Sequence, residues 1–555
     1  MPKEKLKLIP LGGLGEIGKN MMAVEYGEDI LVVDAGLMFP DEEMLGIDLV
    51  IPDISYLVEH SSKVRGIVIT HAHEDHIGAI PYVLPQLNVP IYCTKLAKGL
   101  ISVKLKERKN LAAKTKFNVV DPGGSFTLGR HFNVEFFPVC HSIPDSVGFI
   151  IRTPAGTIVH TGDFKLDYTP VSGLPTDLAR LAQAGSEGVL LLMADSTYAE
   201  LPGYTPSERV VGDAIDRIVA NASGRVLVTT FASLISRIQQ IIDAAHRHGR
   251  RVFVIGRSMT ENVRMASELG YLKLPAGVMG RMDELARAQH DRVVVLTTGS
   301  QGEPTSGLVR IASRANPHLS IVPGDTVIIS ASPIPGNESL VNRTVDSLFR
   351  QGAQVFHGSR TQVHVHGHAA QEELKLILSL TKPKYFVPVH GEYRHLTQHA
   401  LLAQSVGVPA ARTFVLEDGD VLELDASGGK VSGTKVPAGN VYVDGLSVGD
   451  VDGVILRNRR MLSRDGIVVV IIAIDKRTGK LVSRPDIVSR GFVDVVESKD
   501  ILEGGRDLVA DVLNHGKSHS SSRGFIDNEV KNALDKYFYD KTKRRPMILP
   551  VLVQV

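Results

Sequence analysis

His71-Ala72-His73-Glu74-Asp75-His76 stands directly behind the apolar run Gly66-Ile67-Val68-Ile69-Thr70, so three imidazoles and two carboxylates gather at the C-terminal end of a predicted strand. Neutral imidazole with carboxylate is the donor set that zinc takes, and manganese accepts the same mixture. His71 and His73 are two residues apart, so on extended backbone their side chains point the same way. Asp75 and His76 follow at the start of a predicted helix over 77–84, where they can face a second ion beside the first. The spacing differs from the H-E-x-x-H helix of zinc peptidases, whose histidines are four apart. A closed site for two ions needs more donors than this segment holds, so the fold has to bring others to the end of this strand.

A chain of 555 residues exceeds one core and predicts two to four domains. Lys+Arg 62 against Asp+Glu 61 leaves no global field for polyanions, so any nucleic-acid site is local. That excludes a bulk coat protein, not an enzyme that closes around a nucleic acid. Two cysteines, Cys93 and Cys140, exclude a disulfide framework and fit a reducing cytosol. Cys140, beside His141, is expected as a buried strand-end residue rather than a thiolate ligand. No apolar run has the length of a membrane span or signal segment, so a cytoplasmic protein is expected.

The first 200 residues read as short strands in adjacent pairs, over 6–11, 22–26, 30–34, 66–70, 134–138, 149–153, 157–160 and 188–193, with helices over 77–84 and 96–111. Turn signals such as Pro154-Ala155-Gly156 predict antiparallel pairing rather than repeated βαβ units. From about Ser207 helices alternate with short buried strands, the pattern of a doubly wound parallel sheet. Around 428–440 the composition loosens into Gly, Ser, Lys and Pro. Beyond it, strands are predicted over 467–475 and 480–483, helices over 499–514 and 528–539, and a last strand over 548–554.

Gly13-Leu14-Gly15-Glu16-Ile17-Gly18 matches the dinucleotide fingerprint, but that turn has to open a helix whose N-terminus holds a pyrophosphate. Here the chain runs on through Met21–Tyr26 into the next strand, so the glycines read as a tight inter-strand loop. Asp34, ending that next strand, is better placed to orient a metal-ligating histidine from behind. Three later residues also follow predicted strands: His141 after Phe136–Cys140, Asp163 after Thr157–Gly162, and His390 after Tyr385–Val389.

The series Asp34, His71, His73, Asp75, His76, His141, Asp163 and His390 resembles the metallo-β-lactamase superfamily, an αββα sandwich with its metals at one sheet edge. The resemblance implies one metal on His71, His73 and His141, a second on Asp75, His76 and His390, Asp163 bridging them, Asp34 supporting, and Glu74 outside the set. Asp195 and His364-Val365-His366-Gly367-His368, which bracket the α/β region, resemble the acidic and histidine motifs of the β-CASP nucleic-acid hydrolases. With the Leu11–Asn20 opening and the C-terminal part, the whole chain is similar to the bacterial ribonuclease J family. The implied fold is α/β: a metallo-β-lactamase domain in two parts, 1–206 and 363–428, an inserted doubly wound β-CASP domain over 207–362, a linker over 429–447 and an α+β domain over 448–555.

The implied activity is hydrolysis of single-stranded RNA, as a 5′→3′ exonuclease preferring 5′-monophosphate ends and as an endonuclease, in mRNA decay and rRNA maturation. Two divalent ions per subunit are implied, Zn²⁺ first and Mn²⁺ as the alternative. A homodimer or homotetramer through the C-terminal domain, RNA-decay protein partners and no membrane complete the expectation. Water activated by the ions attacks phosphorus in line. His368 is expected to protonate the leaving 3′-oxygen or donate a hydrogen bond to it, with Asp195 orienting His368 and Asp75 in the same catalytic set. Ser233, behind a predicted strand at a helix start, is expected with His364, His366 and His368 to form a 5′-phosphate pocket. His366 stands where the family commonly has serine, and Tyr198 where asparagine is commoner, the latter a change expected to be without consequence. A hydrolase of small molecules, a DNA-directed nuclease and an inactive scaffold are the competing readings, and the inserted region and full donor set weigh against the first and last.

Overall fold

Short, mostly apolar runs such as Asp29–Val33 and Val189–Asp195, buried along their whole length, are the chain's structural frame. Strands buried on both faces read this way because neither side meets water. The computed structural model describes residues 4–555 except 42, 107, 304, 334–336, 359–360, 426, 479, 495–497 and 516–522. It divides into two units, Met1–Phe39 with Leu49–Val441, and Pro40–Asp48 with Tyr442–Val555.

In the first unit an eight-stranded and a six-stranded sheet pack face to face over a core that includes Val24, Leu31, Phe136, Phe149 and Val387. The helices Leu178–Glu187, Gln371–Thr381 and Tyr393–Ser405 cover the outer face of the six-stranded sheet. Asp29–Val33 runs parallel to Val64–Val68, so both strands end at one edge. Gly156–His160, Val189–Asp195 and Tyr385–Val389 run parallel in the other sheet and likewise share an edge. All the donor residues singled out in the sequence lie just beyond these ends or beyond Phe132–Pro138.

The expected antiparallel pairing holds for Leu6–Gly12 with Met21–Tyr26 and for the meander Phe132–His160. It holds also for Met21–Tyr26 with Asp29–Val33 but fails beyond that pair, where Asp29–Val33, Val64–Val68, Ile91–Cys93 and Phe117–Val119 are successive parallel neighbours. The crossovers there are built from short helices, among them Glu74–Ile77 and Ile80–Val83, which replace the single predicted helix over 77–84. Pro81 sits in the first turn of the second, where its missing N–H is not needed. The Gly13–Gly18 segment opens no helix: Leu14–Gly15 pairs with Gly391–Glu392. Part of the span expected as a linker is sheet, since Gly429–Val431 pairs with Leu422–Leu424 at the sheet edge.

Between the two parts of the sandwich, five parallel strands lie in the order Arg251–Ile255, Val293–Thr297, Val226–Thr229, Thr326–Ile329 and Gln354–Phe356. The first strand in sequence is central, and neighbours join on both sides of it. In such a sheet the crevice beyond the carboxyl ends at the switch point is where ligands bind. Thr229 and Thr230 end the central strand there, beside Ser330.

The second unit has a three-stranded sheet, Asp486–Arg490, Ile467–Ile474 and Met547–Gln554, packed on the helices Lys499–His515 and Arg523–Thr542. The strand predicted over 480–483 is reduced to one bridge, Leu481 to Ile474, and the pairing partner lies at Asp486–Arg490 instead. Pro40–Asp48 joins this unit, held by Asp48 N–H to the Val443 carbonyl at 2.9 Å and by Arg459 to the Leu45 carbonyl at 3.0 Å. No helix among the described residues is long and apolar enough to cross a membrane.

Glu373 ties the first unit's segments together. Its fully buried carboxylate accepts from the backbone N–H groups of Leu166 (2.6 Å), Thr205 (2.8 Å) and Ala370 (2.7 Å). Glu373→Ala leaves three buried donors without acceptors, so a loss of about 3 kcal/mol is expected, at roughly 1 kcal/mol or more per donor. The urea midpoint of the first unfolding transition checks it, with Glu373→Gln recovering part of the loss because its amide oxygen still accepts.

Candidate metal centre

The chain fixes the tautomer of nearly every imidazole at the shared edge. Thr70 Oγ1 donates to Asp34 Oδ2 at 2.8 Å, so toward His71 Nδ1, 3.1 Å away, it can only accept. His71 Nδ1–H is thus committed outward and its Nε2 lone pair faces the centre. His141 Nδ1–H donates to the Gly367 carbonyl at 2.8 Å, with the same result. Gly367 has no room for a side chain, since a Cβ would stand 2.6 Å from the His141 ring. His73 presents Nδ1 instead, 3.0 Å from His71 Nε2 and 3.1 Å from His141 Nε2. Three nitrogens at these separations share a cation readily, and the three residues form one group able to hold a metal ion.

His76 and His390 repeat the device. His76 Nδ1–H donates to Asp34 Oδ2 at 2.8 Å, and His390 Nδ1–H to Thr197 Oγ1 at 2.5 Å, Thr197 itself donating to Asp195 Oδ1 at 2.8 Å. Their Nε2 atoms turn to Asp75 Oδ2, at 3.6 and 3.2 Å. Asp75, His76, Asp163 and His390 form a second group whose donor atoms lie within 4.8 Å of one another. Asp163 Oδ2 belongs to both environments. It lies 3.6 and 3.9 Å from the inward nitrogens of His71 and His141, and 3.3 and 3.7 Å from those of His76 and His390. Asp34 and His390 both hold left-handed backbone, φ 61° and 58°, which non-glycine residues adopt under constraint at functional sites.

The two groups differ in charge. Burial lowers His71 and His141 well below the ordinary imidazole range, with repulsion from His76 and His73 respectively adding to it, and brings His73 to about 4. That first trio is neutral at pH 7, its lone pairs free. Burial opposes charge on His76 and His390 too, but Asp163 outweighs it, helped by Asp75 and Asp34 at His76 and by Asp195 and Asp75 at His390, and both are raised well above 6.5. Burial also disfavours the charged form of Asp163, Asp75 and Asp195, and the imidazoles reverse this, holding all three below the usual carboxylate range. Glu74 turns away to Lys104, as expected of a residue outside the set. Cys140 is buried, with its thiol pushed up to about 12 by that burial, so it offers no thiolate.

Asp195 and His368 sit beside the second group. His368 Nδ1–H donates to Asp195 Oδ2 at 2.7 Å, and Thr197 N–H to Asp195 Oδ1 at 3.0 Å. Burial works against charge on His368, but Asp195 and then Asp163 raise it above the ordinary value.

Ser233 differs from its expected place. The helix starts at Ile235 with Leu234 as its cap, and no side chain caps it. His364 instead meets Arg237, in the helix Ile235–Arg247, a residue that no motif in the sequence singles out. The fully buried Arg237 reaches His364 Nδ1 at 3.4 Å and donates to Ser330 Oγ at 2.6 Å, while Glu208 grips its other nitrogens at 2.5 and 2.8 Å. Ser330 Oγ–H in turn donates to the Val363 carbonyl at 2.6 Å. Lys165, equally buried, pairs with Asp167 at 3.6 Å nearby. Tyr198, expected to matter little, stacks on His366 with ring centroids 3.9 Å apart. Buried charge at 165, 208 and 237 was the available signal for the first network; nothing local announces the stack.

Comparison with known proteins follows the same outline. Residues 14–201 match the metallo-beta-lactamase superfamily, 223–348 the ribonuclease J beta-CASP domain, 357–412 the Zn-dependent metallo-hydrolase RNA specificity domain, and 454–555 the ribonuclease J C-terminal domain. The chain is 44% identical over 553 residues to ribonuclease J2 of Bacillus subtilis, covering 100% of this chain and 99% of that protein. It is 45% identical over 560 residues to ribonuclease J of Thermus thermophilus, covering 100% and 96%. A crystal structure of a protein of unknown function from Enterococcus faecalis is alike in fold, with a TM-score of 0.52 at 17% identity over 76% of this chain and 100% of that one.

With His76 and His390 protonated in the metal-free protein, a divalent cation has to displace protons to reach their Nε2 atoms. Calorimetric titration with Zn²⁺ at pH 7, in buffers of different ionisation enthalpy, is therefore expected to show net proton release of more than about one proton per chain.

Proposed function

The chain belongs to the ribonuclease J family and is a metal-dependent ribonuclease, and from that premise we propose how it acts. Its substrate is single-stranded RNA, cut 5′→3′ from 5′-monophosphate ends and also internally, in cytoplasmic mRNA decay and rRNA maturation. The observation that carries this reading is the pair of donor groups, each with imidazoles within 4 Å of Asp163 Oδ2, next to the Asp195–His368 pair.

His71, His73 and His141 would hold one divalent ion and Asp75, His76 and His390 the other, with Asp163 common to both and Asp34 orienting His76. Zinc suits this nitrogen-rich set first and manganese second. Bound divalent ions supply a lowered pKa for water and offset charge on the phosphoryl oxygens. The chain's own residues supply the rest. Asp195 accepts from His368 Nδ1, so the opposite ring nitrogen carries the proton for the leaving 3′-oxygen. As the P–O3′ bond breaks, that proton passes to O3′, and the oxygen of the attacking water stays on phosphorus as part of a 5′-phosphate. Asp75, the partly exposed carboxylate of the second group, belongs to the same catalytic set.

The 5′-phosphate pocket comprises Ser233, His364, His366 and His368. Support comes from the Arg237–Ser330–Val363 network, which anchors the His364–His368 segment beyond the carboxyl ends of the parallel strands. The chain assembles as a homodimer or homotetramer through its C-terminal domain, with RNA-decay proteins as further partners. Support for the assembly is the sheet face opposite the helices, where Ile471, Val488, Leu549 and Val553 are 38%, 41%, 48% and 45% exposed.

Incubation of the metal-loaded protein with 5′-monophosphorylated RNA, 5′-triphosphorylated RNA and matched single-stranded DNA tests the reading. Rapid cleavage of the first, slower cleavage of the second and none of the DNA is expected; equal cleavage of DNA refutes it. His76→Ala is expected to lower kcat by at least about 10³-fold with circular dichroism unchanged, as loss of a Lewis-acid site demands. Ile471→Glu with Leu549→Glu is expected to give monomers in sedimentation velocity, and an unchanged oligomer would count against the assembly.

A further inference from the structure

Tyr198 and His366 stack with ring centroids 3.9 Å apart and planes inclined by 25°. They come from the two segments that carry the Asp195–His368 pair. Tyr198 lies three residues beyond Asp195, in a turn closed by Leu201 N–H to the Tyr198 carbonyl at 3.0 Å. His366 lies two residues before His368, and its Nδ1–H donates to the His368 carbonyl at 2.9 Å. The same carbonyl accepts from Thr205 Oγ1 at 2.7 Å. Tyr198 also rests against the His368 ring, centroids 5.8 Å apart. The stack therefore spans the same gap as the 2.7 Å bond between Asp195 and His368. With its Nδ1–H committed to that carbonyl, His366 is a wall of the phosphate pocket whose hydrogen bond acts on His368.

We propose that the Tyr198–His366 stack is a positioning element: it holds the Asp195 turn and the His364–His368 segment in register, so that His368 is aligned to protonate the leaving 3′-oxygen. The inference rests on the reading of His368 as that proton donor. Neither Tyr198 nor His366 belongs to the groups of described residues able to hold a metal ion. A stacked aromatic pair fixes separation and tilt together, which a single hydrogen bond does not.

The test uses the full-length, metal-loaded protein and single-stranded RNA with either an ordinary linkage or one 3′-bridging phosphorothiolate. A thiolate leaves without needing a proton, since thiols ionise near pH 8.5. Tyr198→Ala is expected to lose about tenfold in kcat on ordinary RNA, part of the 10²–10⁴ a general acid supplies, with KM within about twofold. Tyr198→Phe, which keeps the ring, is expected to retain the full rate. On the phosphorothiolate the deficit should vanish. Equal loss on both substrates, or no loss on either, overturns the proposal. His368→Ala separates it from the reading beneath: if His368→Ala is not rescued by sulfur, the proton-donor role falls. If His368→Ala is rescued and Tyr198→Ala is not, only the positioning role falls. A crystal structure of metal-free Tyr198→Ala supplies a readout independent of turnover. The Asp195–His368 separation should lengthen past about 3.2 Å, the limit of a normal hydrogen bond, and an unchanged 2.7 Å bond overturns the inference.

Discussion

A single carboxylate oxygen, Asp163 Oδ2, has five imidazoles within 4 Å: His71, His76, His141, His368 and His390. Gathering that many basic nitrogens in a buried space is unfavourable unless negative charge meets them. Nearly every outward contact at the edge serves this arrangement. Thr70, Asp34, Thr197 and the Gly367 carbonyl each take the Nδ1–H of one ring, so that the other nitrogen turns inward. The strained backbone at Asp34 and His390, and the bare backbone at Gly367, follow from the same demand for orientation.

The chemistry was legible where it is local. His71–His76 carries its meaning in six residues, and His141, Asp163 and His390 each announce themselves by following an apolar run. The doubly wound region was legible too, since its helices and strands alternate with clear periods. What escaped is what depends on the partner. Strands of three residues such as Ile91–Cys93 and Phe117–Val119 have too little pattern to declare parallel pairing. Thr70 and Thr197 look like ordinary strand-end residues until the imidazole they hold is known. Ser233 has the composition of a cap, but the helix begins two residues later.

The contacts around His364 show how the insertion is joined to the sandwich. Lys165 and Asp167 belong to the sandwich, Glu208 to the entry of the inserted region, and Arg237 to its second helix. These two buried pairs, with the Asp167 carboxylate also accepting the Glu208 N–H at 2.9 Å, make a neutral quartet at the joint. Replacing either member of a buried pair leaves an uncompensated charge, which is why such joints tolerate few substitutions. Burial and the nearby cations, Arg237 first, bring His364 down to about 3, so the ring is neutral at the place where the two parts meet.

The donors come from two different sheets, His71, His73 and His76 from one and His141, Asp163 and His390 from the other. The edge is thus a seam, and any cation gripped from both sides would act as its stitch. Such a ligand binds the folded chain and has no comparable site on the unfolded one, so it adds to stability in proportion to the logarithm of its free concentration. Metal supply would then govern how long each molecule survives as well as how fast it turns over. Scarcity would thin the enzyme population before it slowed the survivors.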